Sequence, residues 1–144
     1  MGILTNFVVA DEDDIAAIGE SQHPVDEWDG IERRDIDAAK LAVLHCLATG
    51  DELGQALYLY EPIYVNADEV MVLRMADYLV ERLSGFDEEA LERIGEELAA
   101  SEEFELAQFD PDEVQDVVLA LAALSQLAVS QDQALFVWIH PLLT

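Results

Sequence analysis

The sequence predicts an α+β fold, in which a small sheet of about three strands is packed by about five helices. Three observations support this prediction. Apolar residues make up 52% of the 144 residues, which is enough for a large core. Apolar runs rich in β-branched or aromatic residues lie near both ends of the chain. Between them, apolar residues recur at helical spacing behind capping residues. At this length, we expect residues 1–144 to form a single domain.

The chain is predicted to begin with a strand and a short helix. Residues 3–9 are apolar and too few for a helix before the acidic run at Asp11, so they predict a strand. Asp11 is a suitable cap for a helix that continues to about Ile18. Gly19 is expected to end this helix as its C′ glycine. Residues 20–32 then predict a loop.

The next segment contains a strongly predicted helix followed by less regular sequence. Residues 35–49 are apolar almost all round, which predicts a central helix that ends at Gly50. Residues 53–60 favour a short helix, and residues 62–65 favour extended chain. The nearly continuous apolar run at residues 70–74 predicts a strand covered on both faces.

The second half of the chain is predicted to form three helices and a closing strand. Residues 76–83 resume helical spacing. Asp87 and Asp110 are each placed to cap a further helix, and Pro111 follows Asp110 at the favoured first position. The last helix is predicted to run to about Val129. The apolar residues 134–139 then predict the final strand.

The charge balance excludes several classes of partner. The chain has 32 acidic and 6 basic residues, which gives a net charge of −26. Nucleic-acid binding depends on clustered Lys and Arg, so direct nucleic-acid binding is not expected. An anionic membrane surface would repel the chain for the same reason. The expected partner is therefore a basic protein, or a neutral or cationic small ligand.

Cysteine content and hydropathy predict a cytoplasmic protein. The single cysteine, Cys46, excludes an intramolecular disulfide and any multi-cysteine metal site. No apolar run reaches the length of about 18 residues that a membrane-spanning helix requires. Residues 1–14 lack the basic region of a signal peptide.

Several short motifs resemble the YfbM-like family of small uncharacterised bacterial proteins. The chain starts with Met1 and Gly2 directly before the first predicted strand. Residues 35–39 read Asp-Ile-Asp-Ala-Ala, and residues 44–50 read Leu-His-Cys-Leu-Ala-Thr-Gly. The late acidic helix and the terminal apolar strand are also similar to the family's. Lys40 and Leu41 depart from its pattern, which has a tryptophan there. The resemblance implies the same α+β fold, and the family has no established activity to carry over.

His45 and Cys46 are neighbours, which raises the question of a catalytic pair. Adjacent side chains on a helix point about 100° apart, so they cannot form a thiolate–imidazole pair. Cys46 is expected to be buried and inert. His45 is expected to be structural and to bond a backbone carbonyl of the following loop. A functional pocket at His45 is the alternative.

The sequence predicts no catalytic residue, no metal ligand and no cofactor. The three histidines are isolated from one another, and the acidic runs lack the glycine-and-glutamate pattern of a calcium loop. No Gly-x-Ser-x-Gly, Gly-x-Gly-x-x-Gly or phosphate-binding loop occurs. With 32 carboxylates, some acid pair is expected by chance alone.

Aromatic residues and arginines in the least regular segments are the candidate binding residues. Such side chains on loops are typical of recognition surfaces, although they also pack over core edges. One candidate is His45, and the others come from two segments, residues 20–34 and 53–65. They are Trp28, Arg33, Arg34, His45, Tyr58, Tyr60 and Tyr64.

These observations favour a non-catalytic binding or regulatory protein. The second hypothesis is an acidic decoy or immunity-type protein that occupies a basic partner. The third is an enzyme with a pocket at His45. The acidity is also explained as a device for solubility in high salt, which is compatible with each hypothesis. The sequence leaves the oligomeric state open.

Overall fold

The computed structural model describes residues 3–141, which form seven α-helices, two short 3₁₀ turns and five β-strands. The motif position at Met1 and Gly2 lies outside the described residues. The strands are β1 (Leu4–Ala10), β2 (Gly30–Arg34), β3 (Tyr64–Val65), β4 (Met71–Arg74) and β5 (Ala134–His140). The helices are α1 (Ile15–Glu20), α2 (Ala38–Thr49), α3 (Leu53–Leu59), α4 (Asp77–Gly85), α5 (Glu88–Ala99), α6 (Glu102–Leu106) and α7 (Pro111–Gln131). The predicted α+β class is confirmed.

The strands form one antiparallel sheet in the order β2-β1-β5-β4-β3. Strands β1 and β5 pair with each other although they come from opposite ends of the chain, and Phe7 lies opposite Val137. All residues of β1 and most of β5 are buried, because both faces of the sheet are covered. The edge strands β2 and β3 are more exposed.

Side-chain alternation along the strands divides the core between the two faces of the sheet. On one face, Phe7 and Val137 pack into a large cluster with α2, α4, α5 and α7. On the other face, Val8 and Trp138 form a smaller cluster with α1 and the turn at Pro24–Asp26. By length and composition α7 could cross a membrane. Here it packs against α4, α5, β1 and β5.

The predicted number of strands was wrong, because two short edge strands were missed. Residues 30–34, at the end of the predicted loop, form β2 against β1. The extended chain predicted near residue 64 is β3, which pairs with β4. Strand β3 has only two residues, and β2 ends in the charged residues Glu32, Arg33 and Arg34, so neither shows the apolar alternation that identifies a strand. Residues 134–139 do form the closing strand as predicted.

Three details of the helices also differ from the predictions. Gly19 does not end α1 but lies inside it, where a Cβ atom would be 2.2 Å from the ring of Tyr64. The central helix begins at Ala38, because Asp37 caps it by accepting a hydrogen bond from the backbone of Lys40. It ends at Gly50, as predicted, in a left-handed conformation with φ 83°. Helix α6 was not predicted.

Candidate functional site

His45 lies on α2, is 1% exposed and bonds two side chains from the following segment. Its Nε2 is 2.7 Å from a carboxylate oxygen of Asp51, and its Nδ1 is 3.0 Å from the hydroxyl of Tyr60. A carboxylate only accepts hydrogen bonds. A neutral ring therefore carries its proton on Nε2, and its Nδ1 accepts from the Tyr60 hydroxyl. The expected bond from His45 to a backbone carbonyl was wrong, since both partners are side chains.

The end of α2 is fixed by further hydrogen bonds around His45. The hydroxyl of Thr49 donates to the carbonyl of His45 at 2.7 Å. The same hydroxyl oxygen accepts from the backbone N–H of Asp51 at 3.2 Å. These bonds place the Asp51 carboxylate against the imidazole. His45 therefore ties the end of α2 to both ends of α3, since Asp51 precedes α3 and Tyr60 follows it.

The chemistry of this cluster is that of a structural anchor. Burial raises the pKa of the Tyr60 hydroxyl, so the phenol remains protonated and is a poor nucleophile or base. Burial also raises the pKa of the half-buried Cys46 thiol, which opposes thiolate formation. Within residues 3–141, no group of three or more His, Cys, Asp or Glu side chains is arranged to hold a metal ion.

The other aromatic candidates lie apart from one another. Tyr58 is 78% exposed on α3, whereas Tyr60, two residues later, is buried. Tyr64 lies on edge strand β3, covers Gly19 and donates its hydroxyl proton to Glu20 at 2.5 Å. Trp28 is half-buried against the smaller core cluster. The structure therefore does not combine the tyrosines into one site.

Arg33 and Arg34 lie on β2, at the sheet edge opposite Tyr64. Both line a cleft of about 410 Å³ between β2 and the start of α7. Trp28 is not among the residues that line it. Arg33 and Arg34 thus lie at the other sheet edge from Tyr64, whereas Trp28 and Tyr64 pack against the same core cluster.

The strongest concentration of exposed apolar side chains follows the His45 anchor. Six of the ten large apolar side chains that the described residues expose fall within residues 53–65. We call these six the α3–β3 apolar surface. Its members are Leu53, Leu57, Tyr58, Leu59, Ile63 and Val65, which are between 42% and 78% exposed. Single exposed apolar residues are common on proteins, but a concentration of them is typical of an interaction surface.

An apolar groove adjoins this surface at Pro62. The groove has a volume of about 390 Å³, and only Asp37 among its ten lining residues carries a charge. Met71, Leu73 and Ile139 line it from the large-core face of the sheet. The groove can therefore accept an apolar side chain from a molecule that covers the α3–β3 apolar surface.

Sequence reasoning identified Tyr58 in this surface but missed the aliphatic residues around it. The available signal was an excess of apolar residues in α3, where only Ala56 is buried. A helix that packs on one side needs one apolar stripe, and α3 carries apolar residues on several sides. The sequence also gave no sign of Asp51 as a partner of His45.

Comparisons with known proteins find a distant structural resemblance. No protein-family model matches the chain, and no curated protein matches it. Among solved structures, the chain is similar to YfbM from Escherichia coli, a protein of unknown function. The match covers 94% of this chain and 99% of YfbM, with 14% sequence identity and a TM-score of 0.44. The predicted resemblance to YfbM-like proteins is thus confirmed as a distant one.

Proposed function

We propose that this chain is a non-catalytic binding protein whose α3–β3 apolar surface docks onto a basic, amphipathic segment of a partner protein. The observation that carries this proposal is the concentration of six exposed apolar side chains within residues 53–65. Burying such side chains against a partner contributes roughly 25 cal/mol for each Å² of apolar surface removed from water. The adjoining groove offers a place for one apolar anchor of the partner.

The charge around this surface indicates the chemistry of the partner. Residues 46–73 contain no Lys, Arg or His, whereas acidic side chains flank the apolar ones. Glu52 and Glu61 stand at the two ends of α3, and both are exposed. A partner with apolar anchors and flanking Lys or Arg would match both features. An amphipathic helix with basic flanks is one segment of this kind.

The same charge disfavours other occupants. A second copy of this chain would bring another net charge of −26 to the interface, and like charges oppose association. An anionic membrane or a nucleic acid would be repelled in the same way. Localisation in the cytoplasm remains our expectation for the protein and its partner.

The acidic-decoy hypothesis also requires a basic partner, but it relies on charge alone. Binding through charge weakens steeply as salt is added, because added ions screen the interaction. Binding through an apolar surface retains much of its affinity in high salt. The salt dependence of binding therefore distinguishes the two hypotheses.

A synthetic helical peptide of leucine and lysine, with leucines along one face, is a suitable probe. We expect it to bind the full chain in fluorescence anisotropy, and we expect part of the affinity to persist in about 1 M NaCl. A double variant, Leu57→Ala with Tyr58→Ala, should weaken binding by about tenfold or more, since two exposed anchors are lost.

The control variant is Leu119→Ala on α7, because Leu119 is 42% exposed and Leu57 is 44% exposed. This control should bind the peptide as the unmodified chain does. Equal weakening by the control and the double variant would contradict the proposed location. Complete loss of binding in high salt would favour the decoy. Self-association through Leu57 and Tyr58, measured by sedimentation, would identify a second copy as the occupant.

A further inference from the structure

The outer edge of strand β2 is a second feature with the form of a binding site, and it is separate from the α3–β3 apolar surface. Strand β2 is an end strand of the sheet, so no other described strand pairs with its outer side. It has five residues, whereas the strand at the other end, β3, has only two. The backbone N–H and C=O groups along such an edge can pair with a strand of another molecule.

The hydrogen bonds to β1 show which backbone groups of β2 face outward. Asp35, directly after β2, donates its N–H to the carbonyl of Ile3 at 3.0 Å. Residues that bond a given neighbour alternate along an antiparallel strand, so Arg33 also bonds β1. The N–H and C=O groups of Glu32 and Arg34 therefore point away from β1. Both residues are exposed, so another strand can reach them.

A cleft lies beside this edge, on the face of the sheet that carries the large core cluster. Its volume is about 410 Å³, and β2 and the start of α7 form its walls. Arg33 lines the cleft and lies opposite Thr5, which shares a face with Phe7 of the large cluster. A strand added to β2 presents every second side chain to this same face. The cleft can therefore receive a side chain from that strand.

The lining of the cleft indicates which side chain fits. Phe109 and Val117 contribute apolar groups, and Glu113 and Asp116 contribute carboxylates that form no ion pair within the described residues. Around them, residues 102–116 contain seven acidic residues and no Lys, Arg or His. A Lys or Arg side chain has an apolar stem and a cationic end, so it matches both parts of the lining.

Arg33 covers part of this edge in the free chain. Its Nη1 donates a hydrogen bond to the carbonyl of Glu32 at 2.7 Å. An added strand needs that carbonyl as an acceptor, and the charge of Arg33 repels a cation in the cleft. Charged side chains are a usual protection of edge strands against unspecific pairing. Arg33 therefore opposes strand addition, and its removal is expected to favour it.

We propose that β2 binds an extended, basic segment of a partner protein as an additional antiparallel strand of the sheet. Backbone bonds to Glu32 and Arg34 would hold the segment, and a Lys or Arg side chain would enter the cleft against Glu113 and Asp116. This arrangement continues the sheet, in which every strand pair is antiparallel. A second copy of the chain is a poor occupant, because each copy has a net charge of −26.

The probe is a short fluorescent peptide in which threonine and lysine alternate, and its binding to the full chain is measured by anisotropy. With the lysines toward the cleft, the N–H groups of the threonines face β2 and those of the lysines face solvent. N-methylation of the threonines should therefore weaken binding about tenfold or more. N-methylation of the lysines keeps the same charge and should leave binding unchanged. The proposal is overturned if the two methylated peptides bind equally, or if the lysine-methylated peptide is the weaker one.

Hydrogen exchange of the ¹⁵N-labelled chain locates the bound peptide. The N–H groups of Glu32 and Arg34 should exchange rapidly in the free chain and slowly in the complex. The N–H of Arg33 bonds β1 and should be protected in both states. Protection that appears only within residues 53–65 would place the peptide on the α3–β3 apolar surface and overturn the proposal.

Variants of β2 separate backbone pairing from charge. Arg34→Pro removes an N–H that faces away from β1, so the pairing with β1 is kept while binding should weaken about tenfold. Its control, Arg34→Gln, loses the same charge but keeps the N–H, and should bind as the unmodified chain does. Arg33→Ala exposes the Glu32 carbonyl and should strengthen binding about fivefold. Arg93→Ala, at an exposed position of α5, should not, and an equal gain would show that charge alone drives binding.

Variants elsewhere test the cleft and its independence from the proposed function. Glu113→Gln should weaken binding about fivefold, whereas Glu97→Gln, at an exposed position of α5, should not. The double variant Leu57→Ala with Tyr58→Ala should bind this peptide normally. Equal weakening by Glu97→Gln, or loss of binding in the double variant, overturns the proposal. Self-association that Arg34→Pro abolishes, measured by sedimentation, would instead identify a second copy as the occupant.

Discussion

Replacing Tyr60 with phenylalanine tests whether the His45 cluster is a structural anchor. The substitution removes one hydroxyl and retains the buried ring, which is 1% exposed. It leaves Nδ1 of His45 without its partner at 3.0 Å, while the ring of His45 is itself 1% exposed. A buried polar atom that loses its partner costs about 1–3 kcal/mol. We therefore expect Tyr60→Phe to lower the free energy of unfolding by that amount.

Urea denaturation, followed by circular dichroism, measures this change. The slope of the free energy of unfolding against urea concentration should be the same for both proteins, since both expose the same surface on unfolding. Tyr58→Phe is the matched control, because Tyr58 is 78% exposed and lies only two residues before Tyr60. The control should change the free energy of unfolding by less than about 0.5 kcal/mol. If Tyr60→Phe is as stable as the control, the bond to His45 does not anchor the segment and the reasoning fails.

Three further predictions concern the backbone, pH and salt. Gly54→Ala in α3 should raise the free energy of unfolding by up to about 1 kcal/mol, because alanine favours a helix more than glycine does and the added Cβ meets no other atom. Gly50→Ala should lower the free energy of unfolding by about 1 kcal/mol, because the φ of Gly50 is 83°. Thermal melts of the two variants measure both changes. Hydrogen bonds to Asp26 and Glu32 raise the pKa of His23 above 6.5. The protonated ring therefore stabilises the fold fully below about pH 6.5, and this contribution is lost as pH rises through the raised pKa. The stability difference between the unmodified chain and His23→Gln should shrink from about pH 6 to pH 8, as urea titrations would show; a constant difference would contradict it. Because the net charge is −26, repulsion between carboxylates destabilises the fold, and added salt screens that repulsion. The melting temperature should therefore rise between about 0.01 and 1 M NaCl. An unchanged melting temperature would show that this repulsion does not limit stability.

The long elements of the fold were predictable because local chemistry specifies them. Asp87 accepts a hydrogen bond from the backbone of Ala90, and Asp110 accepts one from that of Asp112, as their capping roles require. The strands at residues 4–10 and 134–140 are buried, and most of their residues are therefore apolar. These signals lie within a few residues of each element, so a single sequence is sufficient to read them.

The edges of the sheet and the partners of His45 depend on contacts that are distant along the chain. Strand β2 exists because residues 30–34 pair with residues 4–8, not because of its own composition. Asp35 was expected inside a helix, but its backbone bonds Ile3, 32 residues away. Tyr60 meets His45 across 15 residues. Local patterns carry no information about such pairings. The sequence therefore singled out His45 and Tyr60 as candidate residues, but it did not show that they bond each other.

The anchor at His45 and the proposed docking surface are physically connected. Helix α3 has seven residues and buries only Ala56, so its own packing holds it weakly. The bonds from His45 to Asp51 and Tyr60 fix the chain immediately before and after this helix. A surface that is already fixed loses less conformational entropy on binding than a mobile one. Tyr60→Phe should therefore weaken peptide binding in step with its loss of stability, although Tyr60 is buried. If the proposed function is correct, His45 would contribute to recognition only by holding both ends of α3 in place.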